Sequence, residues 1–151
     1  MERILILVKP DGVQRGLIGE IISRFERKGL KLIGLKMTNV DDITLDSHYA
    51  HLSDKPFFKE IKEFMKSSPI VAMAWEGGDG AVAAARILVG PTKGHEAPAG
   101  TIRGDYGLSG SNNIVHASDT VLNGETEVGR FFDKGELFNY KKTNYEHIYG
   151  K

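Results

Sequence analysis

The chain has 151 residues, 40% hydrophobic and 26% charged, with 20 basic and 20 acidic side chains and so a formal net charge of zero. This points to a single folded domain, residues 1–151, with a core of its own, and argues against a disordered chain. Zero net charge gives no global attraction to nucleic acid or to an anionic membrane, and the lack of cysteine excludes disulfides and thiolate metal sites, as suits a reducing cytoplasm.

Ile4-Leu5-Ile6-Leu7-Val8 predicts a buried strand over residues 3–8; it is far too short for a membrane span or a signal segment. Pro10-Asp11-Gly12 marks a turn. Leu17, Ile18, Ile21, Ile22 and Phe25 recur at helical spacing, and Gly29 supplies a stop. A second strand is expected over residues 30–39, where the alternation is imperfect. Helices are expected over 44–52 and around Phe57, Phe58, Ile61, Phe64 and Met65. Pro69 opens a third strand, Ile70 to Trp75, and the alanine-rich stretch 80–89 reads as a helix ended by Gly90-Pro91. Residues 91–112 hold five glycines and read as a long loop, which in a compact domain is usually functional or disordered. Asn113 to His116 reads as a fourth strand, and Asn123 as the cap of a last helix carrying Val128, Phe131 and Phe132. This interleaving of few, short strands with helices suits a four-stranded sheet with helices packed on it, of the split βαβ type.

His116 carries the chemistry. It ends an apolar strand and is followed at once by Ser118-Asp119, so its imidazole is expected at the mouth of a cleft. Histidine titrates near neutral pH and can act as a nucleophile. Lys9, at the end of the first strand, with Arg86, Thr92 and Arg103, suits several phosphate oxygens. Arg103 has the alternative of pairing with Asp105. Glu127 is expected in the first turn of the last helix, either as an ordinary helix-dipole carboxylate or as the group that orients the imidazole. Ser118 is first a cap; its hydroxyl is also placed to link His116 to Glu127. His48 and His51 stand three apart on a helix, but no third metal ligand accompanies them. With His95 and His147 they read as solvated or structural. Gly78-Asp79-Gly80-Ala81-Val82-Ala83 matches a dinucleotide fingerprint, yet no strand ending in a ribose-binding acid follows it.

Five ordered segments together resemble the nucleoside diphosphate kinase family over essentially the whole chain. They are residues 8–20 (VKPDGVQRGLIGE), His48-Tyr49 with Pro56-Phe57-Phe58, Met73 with Trp75-Glu76-Gly77, residues 100–105 (GTIRGD) and residues 113–119 (NIVHASD). The resemblance implies a ferredoxin-like α+β fold with an antiparallel sheet, and ping-pong exchange of the terminal phosphate between nucleoside triphosphates and diphosphates. His116 then matches the phosphorylated nucleophile, attacking through Nδ1, and Lys9 the lysine that contacts ribose and the transferred phosphate. Asn113 matches the sugar-binding asparagine, and Arg86, Thr92 and Arg103 the phosphate clamp. Phe57 matches the ring under the base, with Ile61 beside it. Tyr49 matches the tyrosine near the histidine, and Glu127 with Ser118 its hydrogen-bonding support. Mg²⁺ is expected to arrive on the nucleotide. The resemblance also implies a homo-oligomer, a hexamer first and a tetramer second, low base specificity, a cytoplasmic location, and no membrane or specific nucleic-acid partner. Four residues depart from the pattern: Gly94 and Ala99 stand where many members carry proline, Gly110 where many carry an aliphatic side chain against the base, and Ala117, a mild change, where glycine is commoner. The rival classes are a fold-retaining nucleotide-binding regulator, a dinucleotide-dependent oxidoreductase and a nucleic-acid-binding module. They draw respectively on the fold alone, on the Gly78 segment, and on nothing in the charge pattern.

Overall fold

A computed structural model describes residues 1–150. The strands are β1 (Glu2–Val8), β2 (Lys31–Thr38), β3 (Ile70–Gly77) and β4 (Val115–Ala117). They form one sheet in the order β2-β3-β1-β4, with every neighbouring pair antiparallel. In chain order the helices are α1 (Pro10–Gln14), α2 (Ile18–Lys28), α3 (Asp42–His48), α4 (Phe58–Lys66), α5 (Ala81–Val89), α6 (Ile102–Tyr106), α7 (Val121–Phe131) and α8 (Tyr145–Tyr149).

Helices cover both faces of the sheet, which explains why β1 is apolar at consecutive positions instead of alternating. Ile4, Ile6 and Val8 pack with Phe25 of α2 and with Val82, Ala85 and Val89 of α5. Leu5 and Leu7 face the other way, toward Leu45 of α3, Met65 of α4 and Val128 and Phe131 of α7. Gly124 lets α7 lie directly on β1, since a Cβ there would collide with the Arg3 carbonyl oxygen. That close approach brings the later turns of α7 over the end of β4.

Several boundaries differ from the sequence expectation, each for a local reason. The imperfect alternation of β2 is a bulge at Ile33: the register steps from Leu32 opposite Trp75 to Gly34 opposite Ala74. Pro10-Asp11-Gly12 opens a short helix, with proline at its first position, where its missing N–H costs nothing. The 44–52 helix divides into α3 and a 3₁₀ turn, Ala50–Leu52. Loop 91–112 contains a 3₁₀ turn at Gly94–Glu96 and the five-residue α6. Gly94 is buried there against the backbone of Gly107, too close for any Cβ, so this glycine is a packing requirement. β4 starts at Val115, two residues later than expected, because Ile114 has φ of 76° and cannot continue an extended strand. The cap of α7 is Thr120, whose hydroxyl accepts from the Asn123 N–H; neither Ser118 nor Asn123 caps it. Glu127 therefore sits in the second turn of α7, away from the helix N-terminus, and its dipole reading lapses.

Candidate functional site

Strand register decides which face His116 occupies. Leu7 lies directly opposite His116 in the β1–β4 pair, so the two side chains share a face, the one covered by α3, α4 and α7. Ser118 follows two residues on, and its backbone N–H donates to the Leu5 carbonyl. Lys9 follows Leu5 and Leu7 at the period of a strand, so it too faces this side. Period-two geometry thus delivers the imidazole, the ammonium and a hydroxyl to one place.

The turn before β4 is strained and heavily braced. A β-branched residue at positive φ costs about 1–3 kcal/mol and needs its surroundings to hold it. Ile114 donates its N–H to Asp11 Oδ2 at 2.9 Å, and its carbonyl accepts from the Lys9 N–H at 2.8 Å. The Arg103 guanidinium is buried rather than paired with Asp105. It donates to the carbonyls of Asn113 at 3.1 Å, Gly90 at 3.0 Å and Val115 at 2.6 Å. Asp105 pairs instead with Arg24, at 2.6 Å. Three of the five Arg103 N–H donors are thereby used, and two have no acceptor among the described residues. Arg103 is held below the usual arginine range, at about 10, first by burial and then by Arg86 nearby.

His116 Nε2 is buried 2.8 Å from Glu127 Oε2, within hydrogen-bond reach although its N–H points out of line with that oxygen in this resting geometry. That contact leaves Nδ1 as the nitrogen open to the cleft. Burial pushes the Glu127 carboxyl up, but the hydrogen bond and charge of His116, with help from Ser118 and His48, hold it net below its ordinary value. It is therefore an anion at neutral pH. The Ser118 hydroxyl also accepts from the Leu5 N–H at 3.0 Å, which ties it to β1.

A cavity of about 520 Å³ opens over the imidazole, lined by Lys9, Tyr49, Arg86, Thr92, Arg103, Arg130 and Glu127 among others. Lys9, Tyr49 and Thr92 also line a second cavity of about 620 Å³, whose apolar wall is Phe57, Ile61, Phe64 and Met65. The two form one cleft, cationic at one end and apolar at the other. All the nucleotide-contact residues expected from the sequence line it. Lys9 is pulled down to about 8, first by burial and then by Arg103, while Asp11 acts against this. Its Nζ donates to Asn113 Oδ1 at 2.8 Å. The Asn113 amide nitrogen donates to the carbonyls of Thr92 and Gly110, so this side chain also fastens the long loop to the cleft floor. Arg86 donates to the Ala117 carbonyl at 3.2 Å, and its remaining donors meet no acceptor among the described residues. Burial, then the Glu127 charge, pushes the Tyr49 phenol up to about 12. Phe57 is 44% exposed, a ring face presented to the cleft. Opposite it, a Cβ on Gly110 would meet nothing closer than Lys93 Cγ at 3.6 Å, so that wall is open.

Three site residues escaped the sequence reading. His48 is buried beside His116, ring centroids 4.5 Å apart, and not solvated. His51, its supposed metal partner, is exposed. Arg130 donates to His48 Nδ1 at 3.0 Å. Asp11 braces Ile114, and its Oδ1 is buried without a partner among the described residues. The i,i+3 spacing of Glu127 and Arg130 was the one signal available for Arg130.

The dinucleotide reading of residues 78–83 ends at Glu2. Its carboxylate accepts from the N–H groups of Gly80 at 2.9 Å and Val82 at 2.8 Å, so the chain itself fills the helix N-terminus that a pyrophosphate would need.

A family model described as nucleoside diphosphate kinase matches residues 2–137. A nucleoside diphosphate kinase of Parabacteroides distasonis is 50% identical over 149 residues, covering 99% of this chain and 97% of that one. That of Natronomonas pharaonis is 51% identical, with coverage of 98% and 97%. Among solved structures, a nucleoside diphosphate kinase family protein from Babesia bovis superposes with a TM-score of 0.95 at 46% identity, covering 99% of this chain and all of that one. The Halobacterium salinarum enzyme, solved in complex with CDP, superposes with a TM-score of 0.94 at 45% identity over 98% of each chain. With its ferredoxin-like α+β sheet and a cleft that is cationic at one end and aromatic at the other, this chain belongs to the nucleoside diphosphate kinase family.

Proposed function

We propose that the protein exchanges terminal phosphates between nucleoside triphosphates and diphosphates by a ping-pong mechanism through a phosphohistidine at His116. The observation that carries this is the His116 ring itself: Nε2 rests on the Glu127 carboxylate, and Nδ1 is open to the cationic cleft. In the first half-reaction the Nδ1 lone pair attacks the γ-phosphorus. The Nδ1–P bond forms as the bond to the β-phosphate oxygen breaks, and the diphosphate leaves. The ring keeps its Nε2 proton and becomes a phosphoimidazolium, whose positive charge Glu127 balances. Lys9, Arg86, Thr92 and Arg103 hold the phosphate oxygens in line. An acceptor diphosphate reverses the step, because both half-reactions need the same geometry.

The base stacks on Phe57 beside Ile61, and the sugar meets Lys9 and Asn113. That a relative is solved with CDP agrees with a nucleotide in this cleft. Mg²⁺ fits as a group carried in on the phosphates, where it neutralises charge. The cleft offers it no carboxylate cage, since Glu127 is engaged by His116 and Asp119 accepts from Asn123 at 2.6 Å. Self-assembly into a hexamer is part of the same reading. Edge strand β2 leaves Leu35 and Met37 half or more exposed, apolar surface of the kind a partner covers. No helix among the described residues is long and apolar enough to cross a membrane.

Labelled ATP with magnesium tests the reaction. The label should reside on His116, be lost in acid and kept in alkali, and be discharged by GDP. His116→Ala should abolish exchange. An acid-stable label would place the phosphate on Ser118 and overturn the mechanism. Light scattering at micromolar concentration tests the assembly; a monomer refutes it.

A further inference from the structure

Glu127 Oε2 has two imidazole neighbours, and only one can donate to it. His116 Nε2 lies 2.8 Å away and His48 Nδ1 3.6 Å away. Arg130 donates to that same His48 Nδ1 at 3.0 Å. Arginine is a donor only, so Nδ1 is the acceptor and the ring proton sits on Nε2. The Nε2–H is buried and meets no acceptor among the described residues.

The His48 side chain is 1% exposed. Its ring stands edge-on to His116, to Tyr49 and to Phe131, with centroid distances of 4.5, 4.8 and 5.2 Å. The titratable and charged groups that face it are His116 from β4, Glu127 and Arg130 from α7, and His51 and Tyr49 from the turn after α3. In such surroundings a phenyl ring would pack as well and leave no orphaned N–H. Core stability therefore does not account for an imidazole here. A protonated His48, or its other tautomer, would aim an N–H at the oxygen that His116 uses. Arg130 forbids both forms.

We propose that His48 is a positioning residue: an Arg130-locked neutral imidazole that keeps Glu127 Oε2 for the His116 Nε2–H and so leaves His116 Nδ1 as the attacking nitrogen. His48 also occupies Arg130. Without that acceptor the guanidinium has Glu127 one turn earlier on the same helix, and pairing there takes the carboxylate away from His116. This inference rests on the phosphohistidine reading for its catalytic consequence, but its structural claim, the tautomer of His116, is testable in the resting protein.

The test uses His48→Phe, His48→Asn and Arg130→Gln. Each is followed by ¹⁵N NMR of labelled histidine, rapid-quench phosphorylation by MgATP, nucleotide affinity and thermal melting. His48→Phe should melt no lower than the parent and bind nucleotide with unchanged Kd. It should phosphorylate about tenfold more slowly or worse, and its His116 signals should move from the single Nε2–H tautomer toward a mixture. His48→Asn places Oδ1 where Nδ1 was and should recover most of the rate. Arg130→Gln should shift the His116 signals in the same direction. A parental rate and tautomer in His48→Phe overturns the proposal, as does a His48→Asn variant no faster than His48→Phe. If His48→Phe fails to fold, unchanged His116 signals in Arg130→Gln overturn it instead. Failure of the phosphohistidine reading would show separately, as an unlabelled His116 in the parent protein.

Discussion

Lys9 Nζ donates to Asn113 Oδ1 at 2.8 Å, joining the end of β1 to the turn that enters β4 across 104 residues of sequence. The bond sets the ammonium where the two cavities of the cleft share a wall. Burial there, more than the neighbouring Arg103, brings its pKa down to about 8. A nucleotide phosphate restores the missing negative charge and raises that pKa again. Binding should therefore take up about three quarters of a proton per site at most at about pH 8.5, and almost none at pH 7. Calorimetry in two buffers of different ionisation enthalpy measures the uptake. No buffer dependence at pH 8.5 would show that Lys9 does not sense the phosphates.

His48 gives a stability prediction of opposite sense. Burial first, then His116, pushes its pKa down to about 3 from an ordinary 6.5. The unfolded chain then binds more protons than the folded one between those values. Its contribution is fully present above pH 6.5 and is lost as pH falls toward 3, at up to about 1.4 kcal/mol per pH unit. Denaturant melts at pH 7, 6 and 5 should show His48→Phe losing less stability on acidification than the parent. Parallel pH profiles would mean that His48 titrates normally.

Arg103→Lys should be severe although it keeps the charge. Three carbonyls, of Gly90, Asn113 and Val115, share the planar guanidinium, and a lysine cannot reach all three. Buried carbonyls left unpaired cost about 1–3 kcal/mol each, so the variant should lose at least about 2 kcal/mol of stability by chemical denaturation. Phosphorylation should fall further than stability does, because Val115 directly precedes His116.

Base and sugar should behave differently. Phe57 offers a face that any base can use, worth roughly 1–3 kcal/mol, and the Gly110 wall is open. ADP, GDP, CDP and UDP should all discharge the phosphoenzyme, at rates that differ by preference. Acceptors lacking the 3′-hydroxyl should be poor, since they lose the group that the remaining Lys9 N–H donors and the second lone pair of Asn113 Oδ1 would hold. Single-turnover discharge measures both. Equal rates with and without the 3′-hydroxyl would remove the sugar role of Lys9 and Asn113.

Local order was legible in the sequence because it depends on local physics. Continuous apolar runs marked β1 and β3, helical spacing marked α2 and α4, alanine content marked α5, Gly29 and Gly90 marked the ends of α2 and α5, and the order of elements implied a split βαβ sheet. His116, Lys9, Arg86, Thr92, Arg103, Phe57 and Ile61 were also legible, through residue chemistry and ordered motifs. Their gathering in one cleft was not, since it depends on the register that sets Leu7 opposite His116 and on the close approach of α7 to β1 at Gly124. Only tertiary structure could show that Arg103 is braced by carbonyls and not by Asp105, since those acceptors come from the end of α5, at Gly90, and from either side of the Ile114 turn, at Asn113 and Val115. The same holds for His48. The His48-Tyr49 match marked its position but gave it no role, and hydrophobic pattern does not separate it from the exposed His51 three residues on. Its burial, its tautomer and its place beside Glu127 all come from α3 and α7 meeting over the end of a strand that lies far away in the chain.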